Sequence, residues 1–483
     1  MSEKSELNSK IIKATKWSSV TEIAAKLVAP ISTMVLARVL TPEAFGVLVT
    51  VTMVISFAEI FTDAGFQKYI VQHEFSSKED LHRSTNVAFW SNLIMSLIIW
   101  GFILIFSDQI AELVGNKGYG HVIAISCCCI PLAAFSSIQM ALYRRHFDFK
   151  TLFIVRIIGV AIPIVITIPL AFIMRSYWAL IIGMIGLNLS NAIILTVKSS
   201  WKPKLDYSFR LFKEMFSFTS WSMLEAVTIW LTSYIDIFIV GRLLNEYYLG
   251  IYRTSMTTVA QFTGLITAAT TPVLFSSLSR LQNNREEFMK VFLRFQKAVG
   301  LLVIPLGVGL FIFRDAVVDI MLGSQWHEAS FFMGIWALTS AITIVLSHYS
   351  SEIYRSIGKP KLSVWVQLSH IAVLIPAVWF AVGYGFDFLC TIRALVRLEL
   401  VIANLITLLL FVRVNPLKMC SNICPELFAS MIMALSVTLL PQSTSLIITL
   451  IYIVIAIAVY IGIIMCFPQE RYIMSNLKKF IRR

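Results

Sequence analysis

Apolar runs of about 20–25 residues, divided by short polar loops, recur fourteen times along the chain. A run of that length crosses a bilayer as a helix at about 1.5 Å per residue. The pattern predicts spans at 17–38, 46–70, 84–106, 121–143, 151–173, 177–197, 217–240, 250–275, 292–313, 328–351, 362–382, 388–411, 423–440 and 446–467. Pro30, Pro131, Pro163, Pro169, Pro272, Pro305 and Pro376 fall inside them. Membrane helices tolerate proline, and kinks there often mark moving parts.

The turn between the first two spans, Leu36–Gly46 (LARVLTPEAFG), recurs without gaps 204 positions later as Val240–Gly250 (VGRLLNEYYLG). Arg38 falls on Arg242, Leu40 on Leu244 and Gly46 on Gly250. The same offset places Trp17-Ser18 on Trp221-Ser222. One unit has been used twice. Six spans separate the copies, so both halves enter the membrane in the same sense and form a parallel repeat. The predicted fold is an all-α integral membrane protein with two pseudo-symmetric six-helix lobes and a C-terminal helix pair. The lobes are residues 1–198 and 217–414, joined by a cytoplasmic linker at 199–216. Residues 415–483 supply the extra pair and a basic tail.

Composition agrees with lipid as the solvent: 58% of 483 residues are hydrophobic and 14% charged. The net charge of +13 is spread over short loops, so no basic domain points to nucleic acid. Thirty Lys and Arg lie on the side of the N-tail, alternate loops and C-tail, against five on the other. The positive-inside rule then places both termini in the cytoplasm. Seven Cys, mostly inside apolar runs, imply no disulfide framework. Scattered His residues show no metal-ligand spacing, and the first apolar run lacks a clear signal-cleavage motif. Trp90, Trp100, Trp178, Trp201 and Trp326 lie near span ends, as in an interfacial belt.

A charge at mid-bilayer costs about 2.5–3.5 kcal/mol on insertion scales, so each one asks for a reason. Glu22 and Lys26 share a face of the first span, and Thr52, Ser56, Glu59 and Asp63 form a stripe on the second. Lys26 and Glu59 lie roughly 14 and 16 Å from the cytoplasmic ends of their spans, at matching depth. Arg156 sits on the fifth span. Trp221, Glu225, Thr228, Thr232 and Asp236 stripe the seventh; Arg253, Thr257, Gln261 and Gly264 stripe the eighth. Asp236 and Arg253 lie near one end and are candidates to pair. Arg393 and Arg397 share a face of the twelfth span, with Glu399 on another.

Two readings of these charges stay open: internal salt bridges, or a water-filled cavity between the halves. The stripes with Ser and Thr favour the cavity. Arg156, Arg253, Arg393, Arg397, Glu225, Asp236 and Gln261 are its candidate substrate contacts, since guanidinium pairs well with phosphate and acidic sugars. Glu22, Lys26, Glu59 and Asp63 are candidates for ion coupling or gating. The repeat does not extend to charge: Lys26 corresponds to Trp230, and Arg253 to Val49. An asymmetric cargo suits such a cavity.

The first hairpin, LARVLTPEAFGVLVTVTMVISFAEIFTDAGFQKYIVQ, resembles Wzx-type polysaccharide flippases. More narrowly, it resembles the colanic-acid-exporter (WzxC-like) branch of the multidrug/oligosaccharidyl-lipid/polysaccharide exporter superfamily. The resemblance rests on LAR, LTP and FG, then on Phe61, Asp63 and Gly65. The segments Tyr143–Lys150 (YRRHFDFK) and Tyr354–Lys361 (YRSIGKPK) are similar to its matching cytoplasmic loops. It implies a transporter, not an enzyme, that moves undecaprenyl-pyrophosphate-linked oligosaccharide across the bacterial inner membrane for later polymerisation. It also implies alternating access coupled to H+ or Na+, with no bound cofactor. Membrane lipids, a polysaccharide polymerase and its chain-length machinery are the expected partners. The competing readings are a small-molecule cation antiporter of the same superfamily and a membrane glycosyltransferase. Several arginines disfavour the first; the lack of a long extramembrane loop disfavours the second.

Overall fold

The computed structural model describes residue 26 and residues 28–471, except 64, 147, 283 and 442–444. For 63, 149, 218–222, 224–225 and 272 it describes the backbone alone. Fourteen apolar helical segments follow one another in these residues. They are α1 (Val28–Val39), α2 (Pro42–Asp63), α3 (Lys78–Ile105), α4 (Gly120–Arg145), α5 (Lys150–Met174), α6 (Trp178–Lys198) and α7 (Phe209–Leu243). Then come α8 (Glu246–Arg280), α9 (Arg285–Ile312), α10 (Ala329–Ser356), α11 (Lys361–Val382) and α12 (Phe386–Val412). Last are α13, a pair bent by 43° (Pro416–Asn422 and Cys424–Thr438), and α14 (Leu446–Ile464). Twelve of these are each long and apolar enough to cross a membrane, or thirteen with the bent pair counted as one span. Residues 17–25 and 27 of the first predicted span, Glu22 among them, lie outside the described residues.

Lipid offers no partner to a backbone N–H or C=O, so each span satisfies its own as a helix. The ends follow local chemistry. Ser77 accepts from Asp80 N at the start of α3, and Asp148 from Thr151 N before α5. Asn284 accepts from Glu287 N at α9, where Glu286 and Glu287 also suit the positive end of the helix dipole. Single π-helical turns interrupt α5 (Pro163–Thr167) and α10 (Ile344–His348) and end α12 (Leu408–Val412). Pro163 accounts for the first; the other two contain no proline.

The chain divides into two compact units, residues 1–253 and 254–483. In the first, Phe66, Tyr69, Phe89, Leu142, Trp201 and Met215 form a buried cluster. Tyr69, on the short helix Phe66–Gln72, donates from its hydroxyl to Glu214 Oε1 of α7 at 3.5 Å. Burial, then the Glu214 carboxylate, push this phenol up to about 12, so it remains a donor. The duplicated turn is a tight joint of this unit. A Cβ on Gly46 of α2 would overlap the Glu246 carbonyl oxygen, and one on Gly250 of α8 the Pro42 carbonyl oxygen. The two helix starts therefore meet backbone to backbone, each through its repeat glycine.

In the second unit, α13 and α14 pack on α9 through Leu301, Ala429, Met433, Ala456 and Tyr460. The Tyr460 hydroxyl donates to Leu301 O at 3.0 Å. Trp201 and Trp326 are 5% and 0% exposed, so they are core residues and not belt residues as the sequence suggested. All seven cysteines are free.

Candidate functional site

In unit 1, α2 packs against α7, and Ser56 of the predicted α2 stripe reaches across to it. Thr52 and Ser56 are half-buried and bond carbonyls of their own helix, Val49 O and Met53 O, at 2.9 Å each. Ser56 Oγ also accepts from Trp230 Nε1 at 3.0 Å. Glu59 is half-buried three residues further on. Asp63 ends α2, but its side chain lies outside the described part, as does that of Glu225 on α7. Lys26 is half-buried just before α1, and its predicted neighbour Glu22 is not described. Arg156 is exposed on α5.

Asp236 is 2% exposed and accepts from the Tyr252 hydroxyl at 2.8 Å. The neighbouring Arg253 instead lies over the Tyr234 ring, 5.5 Å from its centroid. The expected Asp236–Arg253 pair is thus replaced by two separate contacts. The reason is angular: successive helical residues point about 100° apart, so Tyr252 and Arg253 cannot face one acceptor equally.

In unit 2, Gln261 is half-buried on α8. Arg393 and Arg397 of α12, one turn apart, both sit over the Trp336 indole of α10, at 5.0 and 3.9 Å from the ring centroid. Arg397 Nη1 also donates to Ser340 Oγ at 2.6 Å and Trp336 O at 3.5 Å. A guanidinium stays charged at any physiological pH, and an aromatic face stabilises it by about 2 kcal/mol when desolvated. The arrangement seats two positive charges on one indole within membrane-spanning helices. Such a group can recognise an oxyanion through its planar N–H edge. Glu399 points elsewhere and accepts from His370 Nδ1 of α11 at 2.9 Å.

Sequence reasoning missed three things. Trp336 lies in an unbroken apolar run and gave no signal of its own. Phe57 and Trp230 were legible only as apolar residues beside a polar stripe. Lys297 was counted among the cytoplasmic loop charges, yet its side chain is 8% exposed and paired with Glu470 at 2.6 Å. Its place inside the predicted span 292–313 was the available clue. Among the described residues there is no cluster of His, Cys, Asp and Glu suited to a metal ion.

With this arrangement in view, comparison with known proteins is decisive. Residues 35–331 match the family described as "Polysaccharide biosynthesis protein". The chain belongs to this family. The succinoglycan biosynthesis transport protein ExoT of Rhizobium meliloti (strain 1021) is 22% identical over 351 residues, 73% of this chain and 69% of that protein. The lipopolysaccharide biosynthesis protein WzxC of Escherichia coli (strain K12) is 20% identical over 328 residues, 67% and 65% of the two chains. Among solved structures, the lipid II flippase MurJ in an inward closed conformation superposes with a TM-score of 0.76 at 16% identity, covering 94% of this chain and 99% of that one. The family match supports the resemblance carried by the first hairpin, and the superposition supports the pseudo-symmetric all-α fold of the multidrug/oligosaccharidyl-lipid/polysaccharide exporter superfamily. This member of the polysaccharide biosynthesis family is a multi-pass membrane protein, and its relatives include a protein named for succinoglycan transport.

Proposed function

We propose that the protein translocates an oligosaccharide linked to undecaprenyl pyrophosphate across the bacterial inner membrane, for assembly of a surface polysaccharide. The observation that carries this reading is the pair Arg393 and Arg397, seated on Trp336 within membrane-spanning helices. A pyrophosphate-linked cargo is anionic, and guanidinium is the side chain best matched to it. A carrier of cationic drugs would gain nothing from such groups. Transport proceeds by alternating access of the two six-helix lobes, residues 1–198 and 217–414, coupled to an H+ or Na+ gradient. Both termini are cytoplasmic under the charge bias of the loops. A polymerase and its chain-length machinery take the product on the far side.

The test is deletion in the native host, scored for surface polymer and for lipid-linked repeat units facing the cytoplasm. Loss of polymer with inward accumulation, rescued by the wild-type gene, is the expected result. Arg397→Ala and Arg253→Ala should lower rescue about tenfold or more at equal membrane levels, as a charged hydrogen bond contributes ~1.5–3 kcal/mol. Arg397→Lys should fall between, since the charge remains but the planar fork is lost. Full rescue by these variants would reduce the arginines to structural contacts. Normal polymer with altered drug sensitivity would instead establish the antiporter.

A further inference from the structure

Four rings and one guanidinium form a continuous series in unit 1. Phe61 meets Phe57 edge-on at 5.1 Å between centroids, and Phe57 meets Trp230 at 4.7 Å. Trp230 stacks on Tyr234 at 5.5 Å with 21° between planes, and Arg253 caps Tyr234 at 5.5 Å. The indole is fixed by its bond to Ser56 Oγ. Phe57 exposes 41% of its surface.

Two observations distinguish this column from ordinary packing. The first is its company. A lipid-facing row of rings has no use for a fixed indole N–H and an arginine at its end, whereas a polar ligand has. The second is the internal repeat. Rings needed only to hold α2 against α7 would recur in the duplicate, because the scaffold does. At the offset of 204, however, Phe57 corresponds to Gln261 and Trp230 to Lys26. The aromatic pair therefore belongs to one half and to its task, not to the scaffold.

A sugar ring presents C–H faces with a rim of hydroxyls. The negative face of an aromatic ring attracts those C–H groups, and Arg253 supplies N–H donors for hydroxyls or acidic substituents. We propose that Phe61, Phe57, Trp230 and Tyr234 form a stacking track for the sugar rings of the cargo, with Arg253 at its end. The track rests on the reading of the cargo as an oligosaccharide. It makes these residues determinants of how many sugars the protein moves efficiently.

The test uses the purified full-length protein in liposomes with two fluorescent cargoes, undecaprenyl pyrophosphate bearing one sugar or several. Phe57→Leu and Trp230→Leu keep apolar volume and remove the ring; Trp230→Phe keeps a ring. Each Leu variant should lower the ratio of long-cargo to short-cargo transport about tenfold, and Trp230→Phe should hold most of it. Monodispersity on size exclusion confirms that each variant folds. An unchanged ratio in both Leu variants overturns the track and leaves the flippase standing. Wild-type protein that moves neither cargo overturns both.

Discussion

Replacing Gly250 with Val should lower both the thermal midpoint and the yield of the folded protein. Gly250 lies one turn into α8, and a Cβ there would occupy the Pro42 carbonyl oxygen, with the Gly46 nitrogen at 3.1 Å. Both obstacles are backbone atoms, so no rotamer change relieves them. Overpacking a well-packed site costs ~1–3 kcal/mol and sometimes more, and a backbone-to-backbone joint lies at the upper end. Against a total stability of ~5–15 kcal/mol, that loss lowers yield and thermal midpoint together. Gly46→Val should do the same, because Gly46 meets Glu246 in the reciprocal way. Gly101→Ala in α3 is the control: a Cβ there meets nothing within 4 Å. It should leave the midpoint unchanged or raise it, by up to about 1 kcal/mol of helix propensity. Monodisperse yield and thermal midpoint in detergent decide the matter. A Gly250→Val protein as stable as wild type would mean that the helix starts separate without loss.

The same turn shows why much of the fold was legible in the sequence. A gapless offset through two helices left little freedom for their shape and aligned Gly46 with Gly250, but that the two helix starts meet is seen only in the structure. The spans were readable because lipid leaves the backbone few alternatives to a helix. Helix ends were less so. The run at 217–240 proved to be Phe209–Leu243, and that at 250–275 Glu246–Arg280. Charged turns beyond the apolar stretch lower hydropathy while helical hydrogen bonds continue, so the pattern stops before the helix does.

Side-chain partners were the hardest part. Spacing along a helix tells which residues share a face, and so it placed Arg393 and Arg397 together. It does not tell what that face meets. Trp336 took both arginines, and His370 took Glu399. Neither partner had a spacing signal, because tertiary packing alone brings α10 and α11 to α12.

Lys297→Met should be the second large loss, and it concerns the helix pair outside the duplication. Lys297 Nζ of α9 lies 2.6 Å from Glu470 Oε1 and donates to Gln469 Oε1 at 2.8 Å. The two ionic side chains are 8% and 2% exposed. Glu426 of α13 is fully buried within their electrostatic reach, and its carboxylate oxygens have no hydrogen-bond partner among the described residues. Lys297 is thus paired with one buried carboxyl group, Glu470, and lies within electrostatic reach of a second. Removing one member of a buried pair costs ~3–5 kcal/mol, because the other charge is left uncompensated in a low dielectric. Met keeps the length and apolar stem of Lys, so the loss reports charge and not a cavity. Adding Glu470→Gln to Lys297→Met should recover most of it, since replacing both partners of such a pair is often neutral or stabilising. Thermal midpoints of the two single variants and the double variant form a cycle whose coupling term measures the pair directly. A coupling near zero would assign the attachment of α13 and α14 to apolar contacts at Leu301, Met433 and Tyr460. A large one makes Lys297 the residue that ties the segment after α14 back to the bundle.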